Sequence, residues 1–228
     1  MTTNKQTPPG QRYIANFERF GLPTFAFYQL PKPSEWTLKV AGEVTQSLNI
    51  YPQLKTLPRQ KQTADFHCVT TWSVADVTWS GYAFSDVYHR LIAPHLPPGC
   101  QPNIVIFRGD DHYVTSLPLE DALAEGVMLA DELNGQALGI EHGAPLRLVA
   151  PKHYGYKNVK HLVAIELADS EGVYRFPKPW PRLMEHPRGR VAEQERGRHL
   201  PPWLFRCLYR PIVWPTRLLF RAMAKKTV

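Results

Sequence analysis

The chain has 228 residues, of which 27 are Lys or Arg and 20 are Asp or Glu, and 43% of its residues are apolar. Such a chain can bury a sizeable core, which excludes an intrinsically disordered protein. Cys68, Cys100 and Cys207 cannot all pair within one chain and have no CxxC spacing, so a disulfide scaffold and a thiolate zinc site are disfavoured. No apolar run approaches the roughly 20 residues of a spanning helix, and no export signal is visible, which predicts a cytoplasmic protein.

Short extended segments and short helices alternate along the body of the chain. Apolar alternation with a period of two predicts strands at 36–41, 103–107, 145–150 and 159–167. Helical spacing of apolar residues predicts a short helix at 84–91 that ends before Pro94, and a second helix fits 119–125. Asn134 and Gly135 predict a tight turn. With 22 prolines, this pattern predicts an α+β fold dominated by mixed sheet.

The positive charge is concentrated at the C-terminal end. Residues 182–228 hold 11 Lys or Arg and three Glu, a net charge of +8, whereas 1–181 hold 16 basic and 17 acidic residues, a net charge of −1. We therefore predict a folded body at 1–181 and a basic C-terminal extension at 182–228. Because the body carries neither excess charge nor a binding motif, no nucleic acid is expected as a partner.

The extension divides by composition into a linker and an amphipathic segment. Residues 187–198 are rich in Arg, Gly and Glu, which predicts a solvated linker. Four arginines of the next segment fall within about 60° of one another on a helix: Arg206, Arg210, Arg217 and Arg221. Pro211 and Pro215 predict two short helices there rather than one. Either 203–226 lies on an anionic membrane surface, which would make the protein peripheral, or the arm packs on its own domain or a second subunit with its arginines in solvent.

The first candidate site centres on Cys68, in the segment FHCVTTWS at 66–73. A Cys beside His67, among aromatic and hydroxyl residues, fits a nucleophile, a metal ligand or a buried core thiol. A nucleophile needs a separate base, and the nine histidines of the chain offer too many candidates to select one. On the residues alone, all three interpretations stay open.

The second candidate site is a basic region with a Gly-containing loop between two predicted strands. It contains His142, Arg147, Lys157 and Lys160. An arginine offers a planar fork to a phosphate, a lysine a point charge, and loop amides further donors, so this region could hold a phosphorylated cofactor. A solvated basic loop is the alternative. The glycine-rich loops that bind nucleotides, GxGxxG and the P-loop, are absent.

Together the two regions resemble the sulfite oxidase superfamily of molybdenum enzymes, in its molybdopterin-binding domain. The matching motifs follow the family's order across residues 12–170: FHCVTTWS at 66–73, WSG at 79–81, LPLEDAL at 117–123, LNG at 133–135, HGAPLRLV at 142–149 and YGYKNVK at 154–160. The chain is similar to small bacterial sulfite-oxidase-like proteins and to bacterial protein-methionine-sulfoxide reductases. The resemblance implies one molybdopterin per chain, no haem, and oxygen-atom transfer at a mononuclear molybdenum centre.

The resemblance also implies a role for each matching residue. Cys68 would be the catalytic thiolate ligand of molybdenum, and His67 a supporting residue on the opposite face of its strand. Further cofactor contacts are expected from Glu18, Arg19, Asp111, His142, Arg147, Asn158, Val159 and Lys160. A buried phosphate needs cations, which Arg147 and Lys160 would supply.

Two departures from the family bear on the substrate and the electron partner. Sulfite oxidases carry an arginine five residues after the ligand cysteine, whereas this chain has Ser73 there, which disfavours sulfite. No haem module precedes the domain and the family's dimerisation domain is missing, so electrons would be exchanged with a separate partner. We expect a small-molecule, sulfoxide or oxyanion substrate. A protein that binds cofactor or a partner protein without turnover is the alternative.

Overall fold

The computed structural model describes residues 6–17, 36–170 and 185–224, with side chains as far as Leu218. The strands of the first sheet are, in spatial order, β2 (Leu48–Asn49), β1 (Lys39–Gly42), β10 (Leu162–Ala168), β5 (Ile104–Gly109) and β6 (Val114–Pro118). Strands β1 and β10 run parallel, and the other neighbours run antiparallel. The sheet is therefore mixed, as the sequence predicts.

The second sheet is antiparallel. Its strands are β3 (Arg59–Cys68), β4 (Trp72–Ala83), β7 (Met128–Leu133) and β8 (Gln136–Ala137), and β9 (Arg147–Val149) pairs with β7. Asn134 and Gly135 join β7 to β8 with φ values of 52° and 80°. This left-handed conformation suits Asn and Gly, and the predicted tight turn is confirmed.

The helices of the body are short. Helix α1 (Phe84–Val87) continues as a π-helical turn at Tyr88–Ile92 and a 3-10 turn at Ala93–His95, and α2 spans Leu119–Ala122. Both predicted helices and all four predicted strands are present in shifted bounds. The first helix ends before Pro94, as predicted, because α1 and its π-helical turn end at Ile92. Pro94 stands in the first turn of the separate 3-10 segment, where no backbone N–H is needed.

Side-chain alternation in the second sheet separates two apolar cores. Leu129 points into the main core, where it meets side chains of the first sheet such as Phe107. Its neighbour Met128 points to the other side, into a cluster that contains Cys68 and Val213. Val213 belongs to helix α3 (Pro202–Ala224). The C-terminal helix therefore covers the face of the sheet that carries Cys68.

Residues 187–198 do not form the solvated linker that their composition predicts. Val191, Arg196 and Gly197 are buried. The guanidinium Nε of Arg188 donates to Asp121 Oδ2 at 2.7 Å. The correction has a physical reason, since the body supplies partners for the charges that composition alone assigns to solvent. The boundary predicted between 181 and 182 lies outside the described residues and stays a prediction.

The extension forms one helix rather than the two that its prolines predict. Pro211 and Pro215 lie inside α3 and are exposed. The carbonyls that lose their usual donors to these prolines therefore face water, which can satisfy them. On the opposite side, Phe205, Tyr209 and Val213 are buried against the body, and Thr216 is buried beyond Pro215, so packing on the body continues past both prolines. No helix in the described part of the chain is long and apolar enough to cross a membrane.

Candidate functional site

Cys68 ends strand β3 at the tight connection to β4. Its partner across the hairpin is Trp72, and Thr71 between them has a left-handed φ of 78°. The Cys68 side chain is buried, and its Sγ lies 3.1 Å from Thr70 Oγ1. The hairpin thus fixes the thiol at the end of the sheet, inside the second apolar cluster.

The protonation of Cys68 depends on opposing influences. Burial raises the pKa of the thiol, because the thiolate would lose its hydration. The hydrogen bond with Thr70 and the positive charges of Arg196 and Arg217 act in the opposite direction and lower this pKa. Both arginines belong to the C-terminal extension, so the extension contributes directly to the electrostatics of the site.

Arg196 and Tyr209 are parts of this site that the sequence reasoning missed. The Arg196 guanidinium donates to the carbonyls of Val69, Pro9 and Gly10 at 2.6, 3.1 and 3.2 Å. The Tyr209 hydroxyl is buried without a hydrogen-bond partner among the described residues. Only the four-residue spacing of Phe205, Tyr209 and Val213 signals in the sequence that this side of α3 is buried.

His67 is bonded to Ser73, the residue at the position where sulfite oxidases have an arginine. His67 Nδ1 lies 2.8 Å from Ser73 Oγ, which donates to Gln11 Oε1 at 3.3 Å. Since the hydroxyl proton goes to Gln11, His67 Nδ1 is the donor in the first bond. Gln11 Nε2 in turn donates to the Cys68 carbonyl at 3.1 Å. Ser73 is buried within this network. The supporting role of His67 stays a prediction.

Arg147 forms the other end of the site and is buried from solvent. Its guanidinium donates to the carbonyls of His142 and Asn158 at 2.7 and 3.4 Å, and lies 4.8 Å from the Trp79 ring centre. No carboxylate within the described residues pairs with it, and burial alone lowers its pKa to about 9. A buried cation held only by neutral groups is a suitable partner for an anion.

Asn158 and Val159 are two further residues that the sequence predicts as cofactor contacts, and their side chains have structural partners. Asn158 Oδ1 accepts from the Ala150 amide at 2.7 Å, and its Nδ2 donates to the Tyr154 carbonyl at 3.2 Å, so this side chain holds the loop together. The Val159 side chain lies in the main core. The Val159 carbonyl accepts from the Leu148 amide at 2.8 Å, so a cofactor contact by this residue would have to come from its backbone N–H.

Lys160 and Asp111 lie beside this loop. Lys160 Nζ donates to the Glu141 carbonyl at 2.6 Å. Gly143 has φ 104°, and a Cβ there would lie 3.0 Å from Lys160 Cα, so glycine is required for the two loops to meet. Burial raises the pKa of Asp111 to about 6, and the nearby charge of Lys160 partly offsets this rise.

Aromatic side chains connect the two ends of the site. The Phe17 ring lies 4.7 Å from Phe66, 5.9 Å from Trp79 and 5.0 Å from His142, between ring centres. Phe66 also contacts Trp72, the partner of Cys68 in the hairpin. The structure thus brings the Cys68 and Arg147 regions together through one aromatic cluster. Glu18 and Arg19, which follow Phe17, lie outside the described residues.

A cavity of about 300 Å³ opens beside the Cys68 hairpin. Its lining residues are Gly10, Gln11, Arg12, Thr71, Arg210 and Val213. Within the described ranges, no three His, Cys, Asp or Glu side chains gather as a metal site. A metal bound through Cys68 would take its remaining ligands from a cofactor. Arg147, which is buried and has no carboxylate partner among the described residues, fits the phosphate of such a cofactor.

Comparison with known proteins identifies the family. The sequence model described as "Oxidoreductase molybdopterin binding domain" matches residues 27–175. The chain is 31% identical over 192 residues, 84% of its length and 91% of the relative's, to the "Uncharacterized oxidoreductase YuiH" of Bacillus subtilis (strain 168). Among solved structures, the sulfane dehydrogenase SoxCD from Paracoccus pantotrophus matches with a TM-score of 0.56 and 24% identity.

The match with SoxCD covers 72% of this chain and 46% of the other, so the chain spans about half of the SoxCD chain and the likeness concerns the fold. The α+β fold of the sulfite oxidase type and molybdopterin as the cofactor, both expected from the sequence, are confirmed at the level of the family. The chain belongs to the family of oxidoreductases with a molybdopterin-binding domain.

Proposed function

We propose that this oxidoreductase transfers an oxygen atom to or from a small molecule at a molybdenum centre ligated by Cys68. The observation that carries the proposal is the placement of a buried thiol and of a buried arginine, which no described carboxylate pairs with, at the two ends of one aromatic cluster. When bound, the molybdenum cofactor supplies the two-electron redox chemistry of such a transfer. The protein holds the cofactor and controls access to it.

The phosphate end of the cofactor would be bound by Arg147 and Lys160. An anion beside Arg147 offsets the desolvation of its guanidinium, whose donors otherwise meet only carbonyls. His142 packs against Phe17 and would contact the pterin. Asn158 holds the loop together and Val159 would offer its backbone N–H. Glu18, Arg19 and Asp111 remain proposed contacts.

The Cys68 thiol must lose its proton to ligate a metal. Burial opposes this loss, whereas Thr70 and the charges of Arg196 and Arg217 favour the thiolate. The C-terminal extension therefore assists ligation at a cysteine that it covers. Burial raises the pKa of the Tyr209 hydroxyl, and the charge of a Cys68 thiolate raises it further, so this hydroxyl keeps its proton and is available as a donor beside the site.

The substrate would enter through the cavity beside Thr71. A volume of about 300 Å³ suits a small molecule, and Arg12 and Arg210 give the cavity positive charge. An oxyanion or a sulfoxide with an acidic group fits this lining. Ser73 lies buried in its own hydrogen-bond network, so these arginines, rather than a residue at position 73, would attract the substrate. Electrons would be exchanged with a separate protein partner.

The ligand assignment can be tested with Cys68→Ser, using Cys100→Ser and Cys207→Ser as matched controls. The control cysteines are half-buried and exposed, respectively. In cells that supply the cofactor, we expect molybdenum and pterin in the wild type and in both controls. The Cys68→Ser protein should lose activity with an artificial electron acceptor. X-ray absorption at the molybdenum edge should show one sulfur ligand fewer in any metal that this variant retains.

Three outcomes would contradict the proposal. A wild-type protein without molybdenum despite cofactor supply would refute the molybdenum function. An unchanged set of sulfur ligands in Cys68→Ser would refute the ligand assignment. If the protein holds molybdenum but turns over none of a panel of sulfoxides and oxyanions, the non-catalytic binding function is correct instead.

A further inference from the structure

The outer face of α3 exposes an unusual amount of apolar surface. Among the residues that the structure describes, every large apolar side chain classed as exposed belongs to this helix: Trp203 (57% exposed), Leu208 (50%), Ile212 (47%), Trp214 (71%) and Leu218 (44%). A single exposed leucine is ordinary, but a contiguous set on one element marks a surface that another body covers.

The exposed side chains occupy a continuous side of the helix. At about 100° per residue, the buried Phe205, Tyr209 and Val213 fall within an arc of about 80°, and the five exposed residues lie within a separate arc of about 180°. One side thus packs on the body and the other faces outward. The outward apolar side is not needed to hold the helix in place.

Positive charge borders this outer face. By the same spacing, Arg210 lies on one edge of it, next to Trp203 and Trp214, and is exposed. Arg206 and Arg217 share this edge, but their guanidinium groups contact the rest of the fold, at Gln194 and at the Trp72 ring. The chain carries eight Lys or Arg and no Asp or Glu from residue 196 to its end. Tryptophan at the boundary between apolar residues and arginines suits the interface between lipid headgroups and acyl chains.

We propose that the outer face of α3 docks on an anionic lipid surface, with the helix lying parallel to the membrane. Basic residues favour anionic headgroups, while Trp203, Trp214 and their apolar neighbours enter the boundary region. A symmetric contact with a second copy is disfavoured, because it would bring together two α3 helices that each carry four arginines and no acid. The occupant that matches both the apolar area and the charge is therefore lipid.

Docking of this kind would bring the Cys68 region close to the membrane. The inner side of α3 contributes Val213 to the Cys68 cluster, so one helix, about 10 Å thick, separates this cluster from the docked surface. An electron carrier held in or on the same membrane would then lie near the site. The docking itself depends only on the surface of α3.

The test is flotation of the full-length protein with vesicles of phosphatidylcholine alone and with about one third phosphatidylglycerol. We expect binding at least tenfold tighter to the anionic vesicles, and weaker binding as salt rises from about 0.1 to 0.5 M. The double variant Trp203→Ser/Trp214→Ser should lose at least about tenfold in binding. The conservative control Trp203→Phe/Trp214→Phe should stay within about threefold of the wild type.

Circular dichroism of each variant verifies that the helix is retained. Equal binding to neutral and anionic vesicles, or binding that the serine variant leaves unchanged, would overturn the proposal. The wild type could instead bind neither kind of vesicle and form a dimer in light scattering. If the serine variant is then monomeric, a second copy covers α3.

Discussion

Arg147 and Arg196 are two buried arginines in equivalent settings but from different parts of the chain. Each is 1% exposed, donates only to backbone carbonyls and lies over an aromatic ring, Trp79 for Arg147 and Tyr154 for Arg196. Burial lowers the pKa of both. Arg147 lies inside the region that matches the family, residues 27–175, and Arg196 lies beyond it.

The site therefore has two buried positive charges, one from the body and one from the C-terminal extension. A buried cation without an acidic partner is costly unless an anion approaches it. At the Arg147 end that anion would be the phosphate of the pterin. At the Arg196 end it would be the Cys68 thiolate, on which the charge of Arg196 acts. The C-terminal extension is thus a structural part of the site.

The largest expected effect concerns the ion pair that fastens the Arg196 segment to the body. Lys157 Nζ lies 3.2 Å from Glu185 Oε1, and both side chains are 0% exposed. Lys157→Met removes the cation and leaves the buried carboxylate without its lysine, which should lower the free energy of unfolding by about 3–5 kcal/mol. Urea unfolding of the metal-free protein measures this.

The control is the double variant Lys157→Met/Glu185→Met. Replacing both charges by apolar side chains avoids a lone buried charge, so the double variant should recover most of the loss. A loss below about 1 kcal/mol in the single variant would show that this pair does not fasten the segment. The Arg196 end would then depend on α3 packing alone.

Arg147 could be predicted from sequence and Arg196 could not, for a physical reason. Arg147 follows a Gly-Pro loop within motifs whose order and spacing identify the family, and strand alternation predicts the surrounding sheet. Arg196 stands among Arg, Gly and Glu residues, and such a composition is solvated unless a distant surface offers partners. Those partners are the carbonyls of Val69 and Gly10, more than 120 residues away along the chain.

The same limit explains the error at α3. Local propensity predicts that Pro211 and Pro215 break a helix, and it takes no account of the surface that Phe205 and Val213 bury. The packing of this surface on the body stabilises the helix despite its prolines. Local sequence patterns therefore predict the strands and helices of the body, whereas the structure of the extension depends on contacts between residues far apart in the chain.

Arg147 and Arg196 are expected to differ in their effect on pterin binding. Arg147→Met should weaken retention of the pterin by about 10- to 100-fold, because a hydrogen bond to a charged group contributes about 1.5–3 kcal/mol. Arg196→Met should retain the pterin within about threefold, since Arg196 lies at the thiol end. Fluorescence of the pterin released after a fixed dilution and gel filtration measures both.

Arg147→Lys provides the matched control, because it keeps a charge but loses the planar fork, and it should fall between the wild type and Arg147→Met. Equal losses in Arg147→Met and Arg196→Met would mean that the two cations serve one ligand. The distinction between the two ends would then be wrong.

The smallest expected effect is a pair of opposite pH dependences at the two ends. Asp111, beside Lys160, has a pKa raised by burial to about 6, so the folded chain binds more protons than the unfolded chain between about pH 4 and 6. Stability should therefore fall as pH rises through that window. His153, whose Nδ1 lies 2.7 Å from the Arg188 carbonyl in the extension, has a pKa lowered by burial. Its contribution is present above pH 6.5 and is lost as pH falls below it.

Urea unfolding of the metal-free protein between about pH 4.5 and 7.5 tests both slopes. Asp111→Asn should remove the loss of stability that occurs as pH rises from about 4 to 6. The variant should therefore be more stable than the wild type at pH 7, by on the order of 1–2 kcal/mol. The side-chain amide of His153→Gln can still donate to the Arg188 carbonyl. This variant should lose less stability than the wild type as pH falls below 6.5. If Asp111→Asn is less stable than the wild type at pH 7, the folded chain stabilises the carboxylate of Asp111, and the assignment of a raised pKa to this residue is wrong.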